Sequence, residues 1–307
     1  MKKVSVLIPC YNEAQTLPVL YEELKKMADK QTAYEWELMF VDDGSVDTTL
    51  DIVKQLRDKD ERVCYVSLSR NFGKENALLA GLDTVTGHCV VVMDADLQDP
   101  PSLVPEMLSY WEDGYQDVYA KRRDRGRESW LRKQFSMLFY RIMAHATRFE
   151  ILQNVGDFRL LDRQCVDALR QLRETERYNK GLFCWIGFKK KEVVFDRGNR
   201  SEGVSRWNFW SLLNLAIDGI TSFSTRPMQV IFALGWFFLV IAFCIGIYVV
   251  HALIAGTAVP GWSSLILSIW IVGGFILISL GVTDMYIGKI YTEVKHRPLY
   301  NIQDILA

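Results

Sequence analysis

Residues 227–283 run for 57 positions without one Asp, Glu, Lys or Arg, in a chain that is 24% charged overall. The run divides at Gly256-Thr257-Ala258-Val259-Pro260-Gly261 into stretches 228–255 and 262–283, each exceeding the roughly 20 apolar residues that span a bilayer. A two-helix transmembrane hairpin is therefore expected within 227–288. Arg226 precedes the first stretch, Lys289, Lys295 and Arg297 follow the second, and the connecting loop carries no charge. By the positive-inside tendency, both termini face the cytosol and the loop lies outside. The chain is thus expected to be multi-pass in the cytoplasmic membrane, with 289–307 as a cytosolic basic tail.

The formal net charge of −1 excludes a globally basic nucleic-acid binder and an acidic disordered tail, so no nucleic-acid partner is expected. Six cysteines show no paired spacing and read as free thiols of a reducing compartment. The N-terminal apolar run is too short for a signal-peptide core and lacks a small-residue cleavage site. Residues 1–226 are accordingly expected in the cytosol.

That first part alternates short apolar runs with amphipathic stretches. Strands are expected at 4–8, 37–41, 62–68 and 88–93, and helices at 17–28, 48–57 and 74–83, where Leu17, Leu20, Tyr21, Leu24 and Met27 already show helical spacing. Strands alternating with helices predict a mostly parallel α/β sheet, whose ligands gather at the C-terminal strand ends. Those ends read Pro9-Cys10-Tyr11-Asn12-Glu13, Asp42-Asp43-Gly44-Ser45, Ser69-Arg70-Asn71 and Asp94-Ala95-Asp96. All four are polar and three carry acids. No G-x-G-x-x-G follows the first strand, and Gly73-Lys74 continues with Glu75 rather than Ser or Thr, so ordinary dinucleotide and P-loop folds are disfavoured.

Two segments carry an interfacial pattern. Residues 121–133 hold seven basic side chains against two acids, and Trp130, Leu131, Phe135, Leu138, Phe139, Ile142 and Met143 follow at helical spacing. A helix at about 127–147 lying among anionic headgroups is expected, as is an amphipathic juxtamembrane helix at 206–226. Membrane lipids are therefore expected partners. The four histidines form no ligand spacing, and no G-x-S-x-G nucleophile motif is present.

Asp94 and Asp96 at the end of an apolar strand can hold Mg²⁺ or Mn²⁺, which in turn binds diphosphate oxygens. Alone, such a tripeptide is commonly a solvated turn, just as Asp42-Asp43-Gly44-Ser45-Val46-Asp47 alone reads as a turn and helix cap. Their conjunction is more specific. Pro-x-Tyr-Asn-Glu, Val-Asp-Asp-Gly-Ser-x-Asp and Asp-Ala-Asp-Leu-Gln-Asp-Pro follow one another at successive strand ends.

On these motifs the chain resembles the family 2 inverting glycosyltransferases of GT-A fold. It is most similar to the polyprenyl-phosphate group: bactoprenol glucosyltransferases, undecaprenyl-phosphate N-acetylglucosaminyltransferases and, more distantly, dolichol-phosphate mannose synthases. The resemblance extends over Ser69-Arg70-Asn71-Phe72-Gly73-Lys74-Glu75, Ala120-Lys121-Arg122, Asn154-Val155-Gly156-Asp157-Phe158-Arg159-Leu160, Gly203-Val204-Ser205-Arg206-Trp207 and Lys295-His296-Arg297-Pro298. The Glu usual before Tyr286-Ile287-Gly288 is Met285 here.

The resemblance implies a GT-A domain over 1–205 that transfers glucose or N-acetylglucosamine, with inversion, from a UDP-sugar to undecaprenyl phosphate. It implies that Pro9, Tyr11, Glu13, Asp42 and Asp94 bind the donor nucleotide, and that Asp96 and Gln98 hold the metal. Asp157 would act at the reaction centre together with Asp96, while Arg122, Ser205 and Arg206 would bind the acceptor phosphate. A homo-oligomer, a tetramer by the same resemblance, is expected. The rival readings are a processive polysaccharide synthase, whose Gln-x-x-Arg-Trp motif has Gly203 at the Gln position here, and a nonenzymatic scaffold that would leave Asp96 and Asp157 without a task.

Overall fold

The computed structural model describes residues 1–123, 152, 155–175, 177–195, 226–255 and 261–306. The expected interfacial helices at about 127–147 and 206–226 lie outside these residues, as do Ser205 and Arg206. The described residues fall into two units, one holding everything up to residue 195 together with 297–306, the other holding 226–296.

In the first unit the anticipated alternation holds through the fourth strand. Strand β1 (Lys2–Cys10) is followed by α1 (Leu17–Lys30), β2 (Tyr34–Asp42), α2 (Thr49–Lys59), β3 (Val63–Leu68), α3 (Lys74–Thr84) and β4 (Cys89–Val92). The α1 residues picked out by spacing, Leu17, Leu20, Tyr21, Leu24 and Met27, are its buried face. β4 pairs parallel with β1, β1 with β2, and β2 with β3. Strand order therefore reverses at β1, and the crevice this leaves at the C-terminal strand ends is where open α/β sheets bind ligands.

Beyond β4 the chain adds elements that periodicity had not separated. These are α4 (Val104–Glu112), β5 (Asp117–Arg122), β6 (Val155–Asp162), α5 (Arg163–Gln171), α6 (Asn179–Trp185) and β7 (Lys190–Phe195). β6 runs antiparallel to both β4 and β5, whereas β7 lies parallel to β5. Asp162 at the end of β6 caps α5 by accepting the Gln164 backbone N–H at 2.9 Å.

The sheet and α3 press together so closely that a Cβ on Gly81 would lie 2.1 Å from Leu7 Cδ1. A larger residue there would have to displace the Leu7 and Val41 side chains, so glycine lets the C-terminal half of α3 lie close against β1 and β2.

Under β5 and β6 lies a buried ion pair. Arg159 and Asp117 are 1% and 0% exposed, with Arg159 Nη1 3.3 Å from Asp117 Oδ2 and the guanidinium 3.8 Å from the centre of the Phe183 ring. Burial pushes the Asp117 carboxyl up, and the neighbouring Arg159 and Lys190 cations oppose that shift. Removing one member of such a pair strands the other in a low-dielectric interior. Asp117→Asn is expected to cost about 3 kcal/mol of stability, read by thermal unfolding in detergent. The double variant Asp117→Leu/Arg159→Met should recover most of that loss.

The end of the chain contributes a strand to the sheet. Residues Ile302–Leu306 form β8, antiparallel to β3 and completing the sheet order β7-β5-β6-β4-β1-β2-β3-β8. Lys54 Nζ and Tyr65 Oη meet Asp304 Oδ2 at 2.7 and 3.3 Å, and Tyr300 Oη donates to Asp83 Oδ2 at 2.5 Å. An unpaired β3 edge would leave open backbone donors and acceptors. Backbone pairing asks little of side-chain pattern, so composition gave no sign of this strand.

The second unit contains α7 (Arg226–Ile254) and α8 (Trp262–Val294). α8 extends past the anticipated boundary at 283 and carries Asp284, Lys289 and Glu293 on the same helix. The rings of Phe238 and Phe275 approach to 4.2 Å between centroids. Trp236, Phe237, Phe243 and Leu277 are exposed, an apolar surface that water alone would not tolerate at this extent. Among the described residues one stretch, Ile271–Val294, is long and apolar enough to cross a membrane, with mean hydropathy 1.7.

Candidate active site

At the C-terminal ends of β1, β2 and β4 lies an open cleft of about 390 Å³, lined by Pro9, Tyr11, Glu13, Asp43, Lys74 and Asp96 among others. Polar loops meet there, and the two acids of the second strand end hold two of them. Asp42, 3% exposed, accepts the Ser45 backbone N–H at 3.1 Å and the Ser67 hydroxyl at 3.0 Å. Asp43 accepts the backbone N–H groups of Phe72 and Gly73 at 2.7 and 2.9 Å. Gly44 sits between these loops with φ +68°, where a Cβ would lie 2.3 Å from the Arg70 carbonyl carbon. The Asp-Asp-Gly tripeptide therefore ties the second strand end to the loop before α3.

The first and fourth strand ends are strained. Asn12 and Leu97 adopt φ of 57° and 61°, a region that costs an ordinary side chain and persists where the surroundings fix it. Asn12 Oδ1 accepts from the Val46 backbone, and its own N–H donates to Ser45 Oγ. Asp96 Oδ1 accepts the Gln98 N–H at 3.1 Å across the Leu97 turn.

Gln98 is 4% exposed, and neither its amide nitrogen nor its amide oxygen has a partner among the described residues. A buried amide left unpaired is costly unless something outside the chain satisfies it. Asp94, Asp96 and Gln98 together offer hard oxygen donors of the kind Mg²⁺ and Mn²⁺ take. Among the described residues there is no group of three or more His, Cys, Asp or Glu that could hold a metal ion.

Crowding of acids sets the electrostatics. Burial, reinforced by Asp96 and Asp94, pushes Glu13 up. Burial together with Asp94 pushes Asp99 up to about 7, and burial together with Asp157 pushes Glu75 up to about 7. Against these acids stands the Lys74 ammonium, 2.6 Å from Asp94 Oδ1 and 2.5 Å from Asp157 Oδ2. Burial opposes its charge, but Asp157 and Asp94 outweigh that and hold Lys74 above its ordinary range. Burial likewise works against the Asp157 carboxylate, yet Lys74 and then Lys180 hold it below its usual range.

Asp157 stands on β6, 8% exposed, with Oδ1 unpartnered among the described residues. Arg159, two residues further along β6, pairs with Asp117 rather than with Asp157. The Arg122 guanidinium at the end of β5 lies beside Gly156, where an added Cβ would meet Nη2 at 3.4 Å.

Of the residues anticipated from sequence, Pro9, Tyr11, Glu13, Asp94 and Asp96 line the cleft. Gln98 is buried two residues beyond Asp96, and Asp157 joins through Lys74. Asp42 lies beneath the lining, which is formed by Asp43 instead. Lys74, Glu75 and Asp43 were not singled out for roles, although Gly73-Lys74-Glu75 had been noted as a failed P-loop and as part of the family resemblance.

An acidic crevice at the switch point of a mostly parallel sheet is where α/β folds of this kind bind their ligands. Residues 5–170 match glycosyl transferase family 2, and the chain belongs to that family. It is a glycosyltransferase of α/β fold. The bactoprenol glucosyl transferase of Shigella phage SfV is 40% identical over 303 residues, covering 98% of both chains. A prophage bactoprenol glucosyl transferase homolog of Escherichia coli is 38% identical and covers 99% of both. The solved glucosyl-3-phosphoglycerate synthase of Mycobacterium tuberculosis, in complex with Mn²⁺, uridine diphosphate and glucosyl-3-phosphoglycerate, is 20% identical. It covers 71% of this chain and 76% of that one, with a TM-score of 0.44.

Proposed function

We propose that this glycosyltransferase moves a sugar, glucose in the first instance, from a UDP-sugar to undecaprenyl phosphate with inversion at the anomeric carbon. The observation that carries the reading is an open cleft lined by Asp94 and Asp96, to which Lys74 ties Asp157, in a chain that also bears a long, exposed apolar helix. Names of the full-length relatives favour glucose over N-acetylglucosamine and a polyprenyl acceptor.

Pro9, Tyr11, Glu13 and Asp94 would receive the nucleotide, with the exposed Tyr11 ring at the lip and Asp42 fixing the loop beneath it. Asp96 and Gln98, with Asp94, would hold Mg²⁺ or Mn²⁺, which when bound neutralises the leaving diphosphate. Arg122 beside Gly156, with Ser205 and Arg206, would take the acceptor phosphate through forked charge-assisted contacts. A lipid phosphate is already largely ionised near neutrality, so little proton removal is needed. Asp157, held ionised, then orients the acceptor and stabilises positive charge developing at the anomeric carbon.

The same proposal places α7 and α8 as a two-helix hairpin in the cytoplasmic membrane, with the sheet domain and both termini cytosolic. The 1–205 domain, the juxtamembrane helix at 206–226 and a homo-oligomer, tetrameric by resemblance, complete it. The test uses full-length protein in detergent with Mn²⁺, undecaprenyl phosphate and radiolabelled UDP-glucose or UDP-N-acetylglucosamine. EDTA-sensitive label in the lipid phase from UDP-glucose is expected. Label released only as free sugar, or polymer formed instead of a lipid monosaccharide, would overturn the reading.

A further inference from the structure

Lys74 is the first residue of α3, and three features set its place. Gly73 before it takes φ +92° and donates its N–H to Asp43, while Gly81 lets α3 lie against Leu7. The ammonium thereby reaches across the cleft and binds two carboxylates from different strands with different tasks. One is Asp94, on the donor and metal side; the other is Asp157, at the reaction centre. No other cation among the described residues stands within ion-pair distance of either acid.

One ammonium cannot serve both carboxylates once a divalent ion arrives. Two positive groups competing for Asp94 repel each other, and the doubly charged one wins the carboxylate. Asp157 has no other ion-pair partner among the described residues, and Lys74 is 42% exposed on a flexible stem, so the ammonium can shift toward Asp157 without disturbing the fold.

We propose that Lys74 is an internal counter-ion that occupies Asp94 in the ligand-free protein and is handed to Asp157 alone when a divalent cation takes Asp94. Loading of the donor site and orientation of the reaction-centre carboxylate are thereby coupled. Lys74 is a positioning residue in this scheme, and the scheme rests on the metal-dependent reading given above.

The test measures Mn²⁺ binding without nucleotide, from the loss of the free-ion paramagnetic signal, in full-length wild type, Lys74→Met, Lys74→Arg and Asp96→Asn. Removing the resident cation should tighten Mn²⁺ binding by about tenfold in Lys74→Met. Lys74→Arg, which keeps the charge, should stay within about threefold of wild type. Turnover of Lys74→Met should fall while its donor KM changes by less than about threefold, because the defect lies in holding Asp157. Unchanged or weaker Mn²⁺ binding in Lys74→Met, with Asp96→Asn still abolishing it, would overturn the counter-ion role and leave the metal site standing. Full Mn²⁺ binding in Asp96→Asn would remove the metal site itself and the proposal with it.

Discussion

Asp96→Asn is expected to lower sugar transfer by about 100-fold or more while the protein stays folded. Asparagine keeps an oxygen that can accept the Gln98 N–H, so the strained turn through Leu97 is retained. What it loses is the negative charge beside Asp94 and the unpartnered Gln98 amide, and with it the attraction for a divalent ion. Calorimetric titration with Mn²⁺ and UDP should show the ion-dependent part of nucleotide binding gone. A folded variant with near-normal, metal-dependent turnover would remove Asp96 from the metal site.

Asp157→Asn should reduce kcat by about 10²- to 10³-fold, the range for losing one preorganised electrostatic group at the reacting atoms. The amide oxygen can still accept from Lys74, so the side chain keeps its place on β6 next to the cleft. Lost is the carboxylate charge that Lys74 and Lys180 maintain against burial. Nucleotide binding should change little, since Asp157 lies on a different strand from the donor loops, and a kcat loss with an unaltered donor KM is the signature to look for. A proportional rise in donor KM would instead place Asp157 in nucleotide binding.

Much of the fold could be read from local pattern. Short continuous apolar runs and amphipathic stretches of period 3.6 gave the first four strands and three helices, because a parallel sheet between helix layers buries both of its faces. The acidic strand ends gave the crevice for the same reason: in such sheets the loops after the strands share one edge. A charge-free run of 57 residues gave the apolar helices, although the continuation of α8 to Val294 went unseen, since hydrophobic length says where an apolar face ends and not where a helix does.

Other features depended on residues far apart in the chain. The antiparallel entry of β6 between β4 and β5 brings Asp157 to the cleft, and only that placement sets it 2.5 Å from Lys74, 83 positions earlier. A Gly-Lys-Glu after a polar strand end fails as a P-loop and otherwise carries no visible chemistry. Its lysine becomes informative once Gly73 and Gly81 aim it between two acids. The partners of Arg159 likewise follow from cross-strand geometry, which gave the buried guanidinium to Asp117 and left Asp157 to the ammonium. Sequence by itself determined the layers, the acidic edge and the apolar helices, since each depends on periodicity or composition within a short window. Tertiary structure alone decided which charges face one another, because ion pairing acts through distance in space and the register of β5, β6 and α3 sets those distances.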